Sequence, residues 1–265
     1  MPHLALRDLS LHYQVVGDGP PLMLVPGMFS DGASWAPLMA HLKPRFTVIL
    51  PDPRGAGRSL PLDAPIALDT LAVDMLSLAN HLGIGRLAVA GHSLGGLVAL
   101  MMAGLAPDRI TAVAALACSP LPSARLAEVF RSLAELRVSC TGDLWLRQLM
   151  GWLMHDDFFA DRQAVEFSIA AGLAYPHLQP AAAMRHQARA LGRLELAALP
   201  GRIEMPGLAL LAEEDALIAP GPAGAALAAK GLQVEVLPGC AHSLHWDAPQ
   251  RVASRLLAHF GATPA

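Results

Sequence analysis

Short, continuously apolar runs alternate along this chain with longer stretches in which apolar positions recur every three or four residues. The short runs predict strands at Ser10 to Val16, Leu22 to Val25, Phe46 to Leu50, Leu87 to Ala90, Thr111 to Ala117, Leu208 to Leu211 and Gln233 to Leu237. Runs without polar alternation suit strands buried on both faces of a sheet. Strands that alternate with helical patterns imply a mostly parallel sheet covered by helices, the α/β class. Gly17-Asp18-Gly19-Pro20 has a tight-turn composition after the first of these strands, so the chain is expected to open with an antiparallel hairpin.

The helical stretches have legible ends. From Asp69, the positions Leu71, Met75, Leu78 and Leu82 form one stripe and Gly83 supplies a stop. The apolar run after Ser93 ends at Ala106, before Pro107. Near the C-terminus, Asp247 is expected to cap a helix carrying Val252, Leu256 and Phe260, ended by Gly261. Between Leu121 and Leu199 the strand rhythm stops, and the pattern reads as four helices in succession. The expected organisation is therefore a core of residues 1–120 and 200–265, with a helical cap inserted as residues 121–199.

Composition narrows the class without naming a chemistry. A chain of 265 residues is long enough to bury a core that needs no disulfide or metal staple. A net charge of -3 with no basic block gives no driving force for nucleic-acid binding. No run approaches the ~20 apolar residues of a membrane span, and Arg7 and Asp8 interrupt the place of a secretory signal, so a cytoplasmic location is expected. Cys118, Cys140 and Cys240 form no paired framework and read as small buried or incidental residues.

Candidate chemistry enters at Gly91-His92-Ser93-Leu94-Gly95, which matches the pattern G-x-S-x-G. The motif needs a strand before it and a helix after it, and both are expected here. A strand that turns abruptly into a helix holds its apical serine in a strained conformation, and flanking glycines remove the Cβ atoms that would collide. A serine hydroxyl needs a base to act as a nucleophile at neutral pH. In chains with such an elbow the order is serine, acid, histidine, with both partners on loops after later strands. Ala212-Glu213-Glu214-Asp215 and Pro238-Gly239-Cys240-Ala241-His242 occupy those loops. Asp215 and His242 are the candidates. Glu213 and Glu214 remain alternatives that read more readily as solvated loop charges, and His245 remains a second histidine of the last loop, read as a lid residue or a support of the site. His92 is assigned no catalytic role. An oxyanion would require backbone N–H donors; Leu94 supplies one and Met28, in the Pro26-Gly27-Met28 loop, the other.

These residues resemble the α/β-hydrolase superfamily, and the likeness spans nearly the whole chain. It is similar to the branch of esterases, enol-lactone hydrolases and carbon–carbon bond hydrolases, which also carry a D-x-R-G-x-G-x-S loop, here Asp52 to Ser59, and a histidine loop like Gly239 to His242 with Asp247-Ala248-Pro249. The resemblance implies an eight-stranded, mostly parallel sheet, an inserted helical cap, and hydrolysis with neither metal nor organic cofactor. The sequence departs from the pattern at Pro26-Gly27, where His-Gly is common, and at Glu213-Glu214, where glycine often precedes the acid. Serine at the elbow, rather than the aspartate of haloalkane dehalogenases and epoxide hydrolases, points to acyl transfer.

The expected substrate is a small or medium carboxylic ester, lactone or thioester. A carbon–carbon hydrolase, a cofactor-free perhydrolase and a non-catalytic ligand receptor are the competing readings. Trp145, Met150, Met154 and Phe158 are candidate pocket residues that equally suit a core of the cap itself. Arg125, Arg147 and Arg189 could meet a substrate carboxylate or lie on solvated faces.

Overall fold

The computed structural model describes residues 2–261; residues 1 and 262–265 of the expected core segments lie outside the described residues. The strands are β1 (His3–Ala5), β2 (Ser10–Val16), β3 (Pro21–Val25), β4 (Thr47–Pro51), β5 (Leu87–His92), β6 (Ile110–Leu116), β7 (Gly207–Ala212) and β8 (Gln233–Leu237). They form one eight-stranded sheet in the order β1-β2-β4-β3-β5-β6-β7-β8. The β1–β2 and β2–β4 pairs are antiparallel, and all the others are parallel. The helices are α1 (Ala36–Leu42), α2 (Leu68–His81), α3 (Leu94–Leu105), α4 (Ala124–Ser139), α5 (Leu144–Leu153), α6 (Asp156–Ala160), α7 (Arg162–Leu173), α8 (Ala181–Leu191), α9 (Pro220–Ala229), α10 (Leu244–Asp247) and α11 (Pro249–Gly261).

Successive strand residues point to opposite faces, so each central strand feeds two cores. Met23, Val25, Val89, Ala209 and Leu211 meet α2, α3 and α9 on one face. Leu22, Leu24, Ala88, Ala90, Leu208 and Leu210 meet Trp35, α1 and α11 on the other. Full burial of a side chain such as Leu24 or Leu100 contributes ~1.5–3 kcal/mol. Burial on both faces explains why these strands read as unbroken apolar runs.

Several expectations need correction. The Gly17–Pro20 turn does not close a hairpin, because β4 lies between β2 and β3; the opening antiparallel pair is formed by β1 and β2 instead. Gly17, at φ 87°, lets the chain cross the segment leading into β4, where a Cβ would sit 2.3 Å from the Phe46 carbonyl oxygen. Phe46 itself lies before β4 and packs edge-on against Phe260. Between β6 and β7 there are five α-helices rather than four, since α6 is a single short turn separated from α7 by Asp161. Asp247 does not cap α11. Its carboxylate accepts the Ala241 N–H at 2.9 Å and the His155 N–H at 3.2 Å, and so ties the loop after β8 to the end of α5.

Candidate active site

The turn from β5 to α3 is built by exclusion of side chains. A Cβ on Gly91 would lie 1.9 Å from the Gly95 carbonyl oxygen, and one on Gly95 would lie 2.1 Å from that of Val25. Only glycine fits at either position, so the strand can bend straight into the helix. Ser93 stands at the apex with φ 53° and ψ -116°. Holding a residue there costs ~1–3 kcal/mol. The neighbouring strand over-determines it: Ser93 N–H donates to the Leu116 carbonyl at 2.8 Å.

Because β7 and β8 are neighbours, paired out to Ala212 and Leu237, the loops that leave them run side by side. Glu214 N–H donates to the Cys240 carbonyl at 3.0 Å and stitches the two together. Asp215 then faces His242. His242 Nδ1–H donates to Asp215 Oδ2 at 2.8 Å, and both side chains are 1% exposed. Asp215 Oδ1 accepts the N–H groups of Leu217 and Ile218, each at 2.9 Å, so the carboxylate is fixed in orientation. This arrangement leaves the far imidazole nitrogen, Nε2, as the basic one.

The rivals lie elsewhere. Glu213 and Glu214 are exposed, and Glu214 Oε1 accepts from His155 Nε2 at 3.1 Å. That pairing raises the His155 pKa. His245 lies on α10, outside the helices between β6 and β7, and is buried against Trp35 and His92, with ring centroids 5.0 and 4.6 Å away. Burial pushes its pKa well down. The His92 ring is turned to the last loop, where its Nε2–H donates to the His242 carbonyl at 2.8 Å. Burial, with His242 close by, drives the His92 pKa down to about 3. His92 thus braces the loop that carries His242 as a neutral ring. Buried Cys118 is pushed up to about 12.

The Pro26-Gly27-Met28 loop lies directly on the elbow. A Cβ on Gly27 would stand 3.1 Å from the His92 carbonyl and 3.2 Å from Ser93 Cβ. Among the described residues neither Met28 N–H nor Leu94 N–H donates to a protein acceptor. Phe29, next in the loop, has φ 58°, and its N–H donates to Gln187 Oε1 of α8 at 2.9 Å. The Asp52–Ser59 loop is tied to the chain just beyond, at Gly32. The Asp52 carboxylate accepts the N–H groups of Gly32 at 3.1 Å and Arg58 at 2.9 Å, and lies 3.1 Å from His12 Nδ1. Arg54, itself buried, grips Asp74 and Asp8.

The five helices between β6 and β7 are fastened along two edges of the site. On one, Tyr175 Oη–H donates to Asp31, Gln179 to the Gly55 carbonyl and His186 to the Ala64 carbonyl, each at 2.8 Å. On the other, Ser243 N–H donates to the Leu153 carbonyl at 2.7 Å. A third apolar cluster joins Met28, Phe29, Leu94 and Leu217 to Phe130, Leu133, Trp145 and Leu149. Of the four expected pocket residues, Trp145 is buried in this cluster and Met150 packs on it. Met154 ends α5 half-buried, and Phe158 stacks edge-on with Phe159 on α6, outside the cluster. Arg147 is occupied by Asp143 and Glu166, and Arg125 donates to the Ala216 carbonyl. Sequence reasoning missed Phe29, Phe130 and Gln187, because nothing local marks a contact made across 101 or 158 positions. Among the described residues no group of three or more His, Cys, Asp or Glu is placed to hold a metal ion, and no helix is long and apolar enough to cross a membrane.

Residues 22–255 match the model of the alpha/beta hydrolase family, and the chain belongs to that family. Two relatives are named carbamate hydrolase RutD, a name given provisionally to both. The one from Variovorax paradoxus is 31% identical over 214 residues, 79% of this chain and 80% of that one. The one from Azorhizobium caulinodans is 34% identical over 110 residues, and the match spans 42% of either chain. Among solved structures, a thermophilic esterase from Thermogutta terrifontis aligns with a TM-score of 0.82 at 25% identity, over 96% of this chain and 93% of the other. The chain is therefore a hydrolase by family, and its sheet has the eight mostly parallel strands that the resemblance implied.

Proposed function

We propose that this protein is a serine hydrolase that cleaves a small or medium carboxylic ester, lactone or thioester through an acyl-enzyme. The observation that carries the reading is the buried Asp215–His242 pair on adjoining loops, in the chain order that a strained Ser93 elbow calls for. In this mechanism His242 Nε2 takes the Ser93 proton as Oγ attacks the carbonyl carbon. Asp215 holds the imidazole in the productive tautomer and stabilises its charged form without itself being protonated. The uncommitted N–H groups of Met28 and Leu94 receive the oxyanion; one such donor is typically worth ~10²–10³ in rate. Protonated His242 then releases the leaving group, and water activated by the same ring cleaves the acyl-enzyme.

Residues 121–199 serve as the cap in this reading. The cluster around Phe29, Leu94, Phe130 and Leu217 offers an apolar wall for the acyl or alkyl group. Trp145 and Met150 back that wall, while Met154 and Phe158 line its approach. No cofactor or metal takes part, the partner is a small molecule, and a cytoplasmic site suits it. A carbamate is the second reading, favoured by the names of the relatives at 31% and 34% identity; its carbonyl would meet the same groups. Hydrolysis of p-nitrophenyl esters of graded chain length, beside an aryl carbamate, distinguishes the two. Turnover is expected with wild type and lost in Ser93→Ala with the fold retained. Near-normal turnover in the variant would sink the assignment.

A further inference from the structure

We infer that Gln187 is a positioning residue that holds the oxyanion loop in its working shape from the helical segment, an inference that rests on the Ser93 reading above. The Met28–Phe29 peptide is held at both ends. Its carbonyl accepts the Ser30 hydroxyl at 3.3 Å, and its N–H donates to Gln187 Oε1 at 2.9 Å. Phe29 has φ 58°, a conformation that a residue with a side chain keeps only when its surroundings fix it. The Ser30 bond is long and made by a neighbour in the same loop. The Gln187 bond comes from α8 and is the one that anchors the peptide to another element.

The amide side chain is itself held firmly. Gln187 is 5% exposed. Its Cγ and Nε2 pack so close to Gly55 that a Cβ there would lie 3.1 and 3.3 Å from them. On the same helix, His186 fastens α8 to the Ala64 carbonyl. Gln187 also lines, with Gly27, Met28, Ser30 and Leu94, the narrow cavity behind the oxyanion loop. Fixing the Met28–Phe29 plane sets the backbone one residue after Met28 N–H, the donor that no protein acceptor claims. The donor is therefore shaped by the docking of α8, and catalytic competence depends on the helical segment being seated.

Gln187→Leu removes the acceptor at nearly constant size, and Gln187→Ala removes it without new bulk. Both should keep the wild-type thermal midpoint to within a few degrees. With a p-nitrophenyl ester, kcat should fall about 10- to 100-fold, less than or near the loss of a whole donor, while KM stays within about twofold. Affinity for an alkyl boronic acid, which forms a tetrahedral adduct on the serine, should fall by the same factor as kcat. A merely structural role would not give that split. A kcat within twofold of wild type in either folded variant, or a loss confined to KM, would overturn the inference. Activity surviving in Ser93→Ala would instead remove the reading beneath it.

Discussion

Acidification from pH 7.5 to 5.5 should weaken the fold through His92, and the size of the effect follows from its burial. In the folded chain the ring is enclosed beside His242, and its pKa falls from 6.5 to about 3. In the unfolded chain it titrates near 6.5. Below pH 6.5 the unfolded state therefore binds a proton that the folded state refuses, so stability declines as pH falls, from about 6.5 towards 3. Integrated between pH 7.5 and 5.5, one such group costs about 1–2 kcal/mol. For a domain of this size that is about 3–6 °C in Tm. His245, His12 and His259, whose pKa values are also lowered by burial, act in the same direction; His155, raised by Glu214, acts against it. A difference measurement isolates His92. His92→Gln keeps a neutral donor within reach of the His242 carbonyl but cannot take up a proton. Urea unfolding of both proteins at the two pH values should show wild type losing about 1–2 kcal/mol more than the variant. Parallel losses in the two proteins would refute a neutral buried ring.

Two further outcomes test separate parts of the structure. Asp215→Asn should lower kcat by about 10⁴ with little change in Tm, because an amide of the same shape stabilises the wrong imidazole tautomer; a loss under tenfold would place the acid elsewhere. Arg54→Met should lower stability by ~3–5 kcal/mol, since it strands the buried Asp74 carboxylate without its partner; a thermal melt unchanged from wild type would show that the pair contributes nothing.

What could be read from the chain divides along physical lines. The central strands were legible because burial on both faces leaves unbroken apolar runs, and Gly91, Ser93 and Gly95 were legible because a strained turn admits few residue types. Asp215 and His242 followed from order along the chain, since each loop after a late strand offered a suitable group. β1 was not legible, being three residues on the sheet edge with no run to detect. The Gly17–Pro20 turn looked like a hairpin because a turn composition does not say which strand comes to lie alongside. Asp247 preceded a helix as a cap would, yet its carboxylate is taken by two N–H groups from elsewhere. Trp145, Met150, Met154 and Phe158 stand out in the sequence only as large apolar side chains; packing puts Trp145 and Met150 in one cluster and leaves Met154 and Phe158 outside it, a division that no local pattern marks. Gln187 looks like any polar residue on a helix until α8 is laid against Phe29.

The most direct test of the central claim is covalent trapping by an alkyl fluorophosphonate, read by intact-protein and peptide mass spectrometry. One adduct is expected, on the peptide that carries Ser93, absent in Ser93→Ala and greatly slowed in His242→Ala. An adduct that persists in Ser93→Ala, or forms at full speed without His242, would contradict it.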